Sequence, residues 1–190
     1  MNVAFFGGSF DPPHVGHVLA AAYLTSVAGF DRVLVVPVLE HEFEKRLTAF
    51  PQRTKLCELA FARLSDVEVS DIEGELPAPS FTISTVKALL ARNQRWKLRV
   101  VVGADVLPEI DRWHAVDELQ RIAPLYVLGR GGFSGSGAPL PLLPEVSSTQ
   151  IRTWCAALPA TRHEADLARL VPAPVLEAIR QWGLYQSTSR

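Results

Sequence analysis

Val3 to Phe6 is a short apolar run that stops at Gly7-Gly8, the pattern of a strand buried on both faces. Val15 to Val27 is apolar and alanine-rich and predicts a helix, with Gly29 as its C′ residue. Arg32 to Val36 predicts a second buried strand, stopped by Pro37. Strand, helix and strand at this spacing form a βαβ unit with parallel strands and a right-handed crossover. The alternation continues with a helix opening at Pro51 and running through Leu64, and a short strand at Val67 to Val69. A helix at Thr82 to Asn93, a strand at Leu98 to Val102 ending at Gly103, a helix at Val116 to Ile122 and a strand at Leu125 to Leu128 follow. The pattern predicts an α/β protein with a doubly wound, mostly parallel five-stranded Rossmann-like sheet.

Gly131 to Pro144 breaks the alternation. It is rich in glycine, proline and serine, and predicts a connection rather than a regular element. Helices at Thr149 to Ala157, around His163 to Leu170, and at Pro174 to Trp182 then form a small C-terminal helical element. Gln186 to Arg190 is a polar tail. The expected organisation is one domain over residues 1–190: a Rossmann-like core at 1–145, the C-terminal helices at 146–185 and the tail at 186–190.

Composition changes this picture only by exclusion. A formal net charge of −1 gives no global field for nucleic acid or an anionic membrane, so an anionic ligand must be held by locally arranged groups. Cys57 and Cys155 lie far apart in apolar stretches and read as reduced core residues. No basic leader and no apolar stretch of membrane-spanning length is apparent, and the expected location is the cytoplasm.

The chemistry concentrates in the loop after the first strand. Gly7 and Gly8 let backbone N–H groups approach phosphate oxygens, and the helix that begins after Pro12-Pro13 offers unpaired N–H groups to an anion. His14 and His17, three apart, share one face of the first turn, where two imidazoles can donate to charge growing on a phosphate. Gly16 between them leaves room for a nucleotide against the backbone. A second helix start follows at Ser147, an N-cap with Gln150 placed to close a capping box. Hydroxyls of Ser148 or Thr149 and the guanidinium of Arg152 add donors there.

The segment Gly8-Ser9-Phe10-Asp11-Pro12-Pro13-His14-Val15-Gly16-His17 resembles the Gly-x-Phe-Asp-x-x-His-x-Gly-His signature of the nucleotidyltransferase α/β phosphodiesterase superfamily. Val146-Ser147-Ser148-Thr149-Gln150-Ile151-Arg152 resembles the Ile-Ser-Ser-Thr-x-Ile-Arg motif of its adenylyltransferases, with valine for isoleucine. The resemblance implies ATP as nucleotide and His14 and His17 as catalytic residues. It implies an ATP site of Gly7, Gly8, Ser9, Phe10, Gly16, Lys45, Ser147, Ser148, Thr149, Ile151 and Arg152, with Mg²⁺ carried on the ATP phosphates.

Three further stretches resemble the bacterial nicotinate-nucleotide adenylyltransferases. They are Pro79-Ser80-Phe81-Thr82-Ile83-Ser84-Thr85, then Gly103-Ala104-Asp105 followed by Trp113 and Leu119, and Val171-Pro172 through Tyr185. This resemblance implies nicotinate mononucleotide as the acceptor. It places Ser80, Phe81, Thr82, Thr85, Gly103, Asp105, Trp113 and Arg130 around that acceptor. Phe81 stands where tyrosine is usual and Ser84 where aspartate is usual. The usual Pro-Pro-His-Lys after the second strand is replaced by Glu40 to Arg46, with Lys45 as the candidate phosphate contact and His41 near it. Phosphopantetheine and nicotinamide mononucleotide remain alternative acceptors, and a non-catalytic ATP-sensing module is the alternative from another class. Oligomeric state is left open, a homo-oligomer included.

Overall fold

The computed structural model describes residues 1–40, 47–79, 81–129, 131, 143–157 and 163–186. Five strands form one parallel sheet: β1 (Asn2–Gly8), β2 (Arg32–Pro37), β3 (Val67–Val69), β4 (Lys97–Gly103) and β5 (Leu125–Leu128), in the order β3-β2-β1-β4-β5. All four pairings are parallel. The helices α1 (Val15–Ser26), α2 (Phe50–Phe61), α3 (Thr82–Arg92) and α4 (Val116–Ile122) make the crossovers, and α5 (Ser148–Ala156), α6 (His163–Leu170) and α7 (Ala173–Gln181) follow β5.

Strand residues alternate between two cores. Ala4, Val33, Val35 and Val101 face one, which α1, α2, α5, α6 and α7 complete with residues such as Leu24, Leu56, Ile151, Leu167 and Ile179. Val3, Phe5, Leu34, Val36, Val100 and Val102 face the other, completed by Ile83, Val86 and Leu89 of α3 and Leu119 of α4. Both sheet faces are therefore covered, which is why the strands read as unbroken apolar runs. The strand order reverses between β1 and β4, the place where open α/β sheets form a crevice at their carboxyl ends.

The predicted elements are all present, β3, α4, β5 and α6 with the expected bounds and others with shifted ends. β2 extends to Pro37, which pairs with Gly8, because a parallel edge position on that side asks nothing of the missing N–H. Pro51 is the second rather than the first residue of α2, and α2 ends at Phe61 instead of Leu64. Gly29 takes φ +76°, two positions beyond the C-cap Val27 rather than at C′. Two 3-10 helices, Ile72–Glu75 and Ala104–Arg112, join elements where the pattern predicts only loops. Among the described residues, no helix is long and apolar enough to cross a membrane. Most of the Gly131 to Pro144 connection and of the tail beyond Gln186 lies outside the described residues.

Candidate active site

The loop after β1 is fixed from every side. Phe10 has φ 45°, in the left-handed region that a bulky residue rarely adopts. Its ring is 1% exposed and packs edge-on against Phe6, His17 and Phe61. Burial of that ring offsets the backbone strain, which is of order 1–3 kcal/mol. The carbonyl of Ser9 accepts from Nη1 of Arg53 at 2.9 Å. The same guanidinium, fully buried, donates to the carbonyls of Val38, Leu39 and Thr48. One side chain thus ties together the ends of β1 and β2 and the entry to α2. Burial lowers the Arg53 pKa and the nearby Asp11 opposes that, so the group remains a cation.

α1 starts at His14. The His14 backbone N–H donates to Nδ1 of His17 at 3.1 Å, and the two imidazoles stack with centroids 3.8 Å apart and planes at 26°. His14 is 6% exposed; His17 is half-buried and lies beside Phe6 and Phe10. A side chain on Gly16 would press on both the His14 ring and Cγ1 of Val146, each 3.1 Å from its Cβ. Glycine there lets α1 and the segment before α5 close together.

α5 is joined to the same loop. Ser148 Oγ donates to the Pro12 carbonyl at 2.9 Å, and Arg152 Nη1 donates to the Asp11 carbonyl at 2.6 Å. Arg152 Nη2 also donates to Thr149 Oγ1. Ser147 caps α5 by accepting from the Gln150 N–H at 3.2 Å. The expected reciprocal bond from the Gln150 side chain is not found among the described residues. Ile151 is a core residue that fixes the helix on the sheet. Two helix N-termini, with His14, His17 and Arg152 between them, therefore converge on one loop. That arrangement concentrates N–H groups and positive charge where a polyphosphate can lie.

Beside this clamp is a cleft of about 960 Å³ at the carboxyl ends of β1, β2 and β4. Gly7, Gly8 and Ser9 form one wall, and Phe81, Thr82, Gly103, Trp113 and His114 line others. Thr82 is the first residue of α3, so that helix's unpaired N–H groups open on the cleft. Phe81 and His114 stack at 4.3 Å, joining the start of α3 to the segment after the second 3-10 helix. Asp105 folds back over Gly103, where its Oδ1 would be 2.2 Å from a Cβ, so any side chain at 103 would displace the Asp105 carboxylate. Thr85, expected at the acceptor, is fully buried, and its hydroxyl donates to Glu73, a cleft-lining carboxylate. It stands one side chain removed from the cleft. The charged residues described in the lining are Glu40, Glu73, Glu109 and Arg112. Lys45, Ser80 and Arg130, as well as His41, lie outside the described residues.

Sequence reasoning missed Arg53, Glu73, Arg112, His114 and the role of Asp11. Arg112 and His114 flank Trp113, and that adjacency was the available signal. Asp11 is 1% exposed; Oδ2 accepts from the Thr48 N–H at 3.1 Å and Oδ1 accepts from the Tyr185 hydroxyl.

The cytidylyltransferase-like family model matches residues 5–154, which include nearly all of the doubly wound sheet and both helix N-termini at its first βα loop, and this places the chain among the nucleotidyltransferases. A probable nicotinate-nucleotide adenylyltransferase of Anaeromyxobacter dehalogenans is 38% identical over 97% of this chain and 97% of its own length. The chain belongs to the nicotinate-nucleotide adenylyltransferase family. Its Myxococcus xanthus relative of the same name is 36% identical over 97% of this chain and 95% of its own. Among solved structures, Plasmodium falciparum nicotinic acid mononucleotide adenylyltransferase complexed with NaAD has the same fold. It matches with a TM-score of 0.79 at 18% identity, covering 97% of each chain.

Proposed function

We propose that the protein transfers the adenylyl group of ATP to nicotinate mononucleotide, giving nicotinate adenine dinucleotide and pyrophosphate in NAD biosynthesis. The observation that carries this is the docking of α5 on the β1 loop through Ser148 and Arg152, beside a cleft walled by Trp113 and the start of α3. ATP phosphates lie along Gly7 to Phe10 and the N-termini of α1 and α5, with Lys45 as a further contact. The acceptor lies in the cleft, its pyridine ring on Trp113 and its carboxylate at the N–H groups around Thr82. Arg112 and Arg130 provide cations for its phosphate, Phe81 and Gly103 complete the walls, and Ser80 and Asp105 add polar contacts to the acceptor. Thr85 acts from behind by holding Glu73.

In the reaction an acceptor phosphate oxygen forms a bond to the α-phosphorus as the bond to the pyrophosphate oxygen breaks. A phosphomonoester is already largely dianionic at neutral pH, since its second pKa is about 6, so no protein base is needed. The protein's contribution is alignment and stabilisation of charge. His17, held through Nδ1, presents Nε2–H as a donor, and His14 supports it by stacking.

Among the described residues, no group of three or more His, Cys, Asp and Glu side chains could hold a metal. Mg²⁺ would arrive on the triphosphate, and Asp105 would hold its water shell. The chemistry it would supply there is neutralisation of charge on the departing pyrophosphate. The packing of α5 to α7 into the core around α1 and α2 supports a single nucleotidyltransferase unit, and the activity fits a cytoplasmic location.

The assay is pyrophosphate release from Mg-ATP with nicotinate mononucleotide, nicotinamide mononucleotide or phosphopantetheine as acceptor. Nicotinate mononucleotide should give the highest kcat/KM. ATP binding with no release for any acceptor would identify a sensor and sink the proposal.

A further inference from the structure

Asp11 joins the β1 loop to three other parts of the chain. Its carboxylate is buried, its Oδ2 holds the Thr48 N–H, and its carbonyl holds Arg152. The last partner comes from the far end of the chain: the Tyr185 hydroxyl donates to Oδ1 across 174 residues. Tyr185 follows Leu184 and Gly183, which turn the chain out of α7; Gly183 takes φ +62° and Tyr185 itself φ 62°. A non-glycine residue in that region is strained, and the chain holds it there with its hydroxyl on a buried carboxylate. Burial and then the neighbouring Asp11 push the Tyr185 pKa up, so the phenol stays a proton donor at any physiological pH.

We infer that Tyr185 is a positioning residue for adenylyl transfer: through the Asp11 carboxylate, it holds the loop that leads into His14 and His17. Successive carbonyls of that loop are already pinned, Ser9 by Arg53, Asp11 by Arg152 and Pro12 by Ser148. Those bonds fix the backbone, whereas the Asp11 side chain is fixed by Thr48 and Tyr185. Loss of the hydroxyl leaves one oxygen of a buried carboxylate short of its donor, and the loop must shift to recover one. A shift near 1 Å at a reacting group is enough to cost on the order of 10² in rate. Tyr185 packs among the residues around α1, α2 and α5 to α7 and does not line the cleft. Its effect should therefore fall first on the turn into His14 and His17, where Asp11 sits, and not on the affinity for the acceptor.

The inference rests on the β1 loop being the ATP phosphate site, so wild-type pyrophosphate release is measured alongside. The variants are Tyr185→Phe, which keeps the ring, Asp11→Asn, and the double variant. Each is checked for its thermal midpoint and circular dichroism. Tyr185→Phe should lower kcat about tenfold or more, as expected for one lost bond to a buried charge, with the acceptor KM within about twofold. The double variant should be no slower than Asp11→Asn. A Tyr185→Phe kcat within twofold of wild type overturns the inference, as does an equal loss in kcat and acceptor KM. Additive losses in the double variant also overturn it, because Tyr185 would not then act through Asp11. If Asp11→Asn does not fold, the split between kcat and acceptor KM in Tyr185→Phe decides. A wild type that releases no pyrophosphate fails the function itself and the inference with it.

Discussion

The His14 backbone N–H donates to Nδ1 of His17, and that bond selects which nitrogen of His17 carries the proton. With Nδ1 an acceptor, the neutral ring has its hydrogen on Nε2, turned away from the helix start. His17→Ala should lower kcat by ~10²–10³, the cost of removing one preorganised donor to developing charge. Pyrophosphate release by a variant with wild-type circular dichroism measures this, and near-normal turnover would exclude His17 from the chemistry.

Trp113 belongs to the core around α3 and also lines the cleft. Trp113→Leu keeps apolar bulk but removes the aromatic face. Stacking worth ~0.5–1.5 kcal/mol corresponds to a rise of roughly 3- to 10-fold in acceptor KM. The KM for ATP should stay within about twofold, because the clamp at α1 and α5 is built from other elements. Equal changes in both constants would assign Trp113 to general packing.

Arg53 spans three segments with one buried guanidinium. Arg53→Met removes the cation and leaves buried carbonyls and Asp11 without it. The expected loss is ~3–5 kcal/mol of unfolding free energy, read from urea midpoints. A loss below about 1 kcal/mol would show that water replaces the guanidinium.

Burial pushes the Cys57 thiol far above its ordinary value, with Arg53 opposing the shift. Folded Cys57 keeps its proton, whereas the unfolded chain loses it above about pH 8.5. The folded state then binds more protons, so stability is full below that pH and falls as pH rises beyond it. The slope should be ~1.4 kcal/mol per pH unit between about pH 9 and 10. Urea denaturation of the wild type against Cys57→Ala isolates this contribution, which vanishes in the variant if the thiol is its source.

Most of the fold was legible because local pattern and global position agree. Val3 to Phe6, Arg32 to Val36 and Leu98 to Val102 are apolar on both faces, and each is covered on both faces. The 3-10 helix at Ala104–Arg112 was illegible because Pro108, a helix breaker, stands in its middle. The early end of α2 had no signal either, since no breaker lies between Phe61 and Leu64. His14, His17 and Arg152 could be read because their neighbours in sequence form recognisable helix starts. Arg53 could not: a lone arginine in a helix pattern looks solvated, and its partners lie in loops up to 44 residues away. Thr85 shows the reverse case, where adjacency to a helix start suggested a ligand but burial directed the hydroxyl to Glu73.

The alternation of β1 has a consequence for how such a protein changes over time. Phe5 faces the core of α3 and α4, while Phe6 packs with α1, α2 and the C-terminal helices. The two bodies of side chains meet at the end of one strand, where Phe5 and Phe6 both line the cleft. Substitutions at Phe81 or His114, which line the cleft, are expected to leave Ser148, Arg152 and the two histidines in place. A lineage built this way can drift toward new acceptors while its central chemistry stays intact.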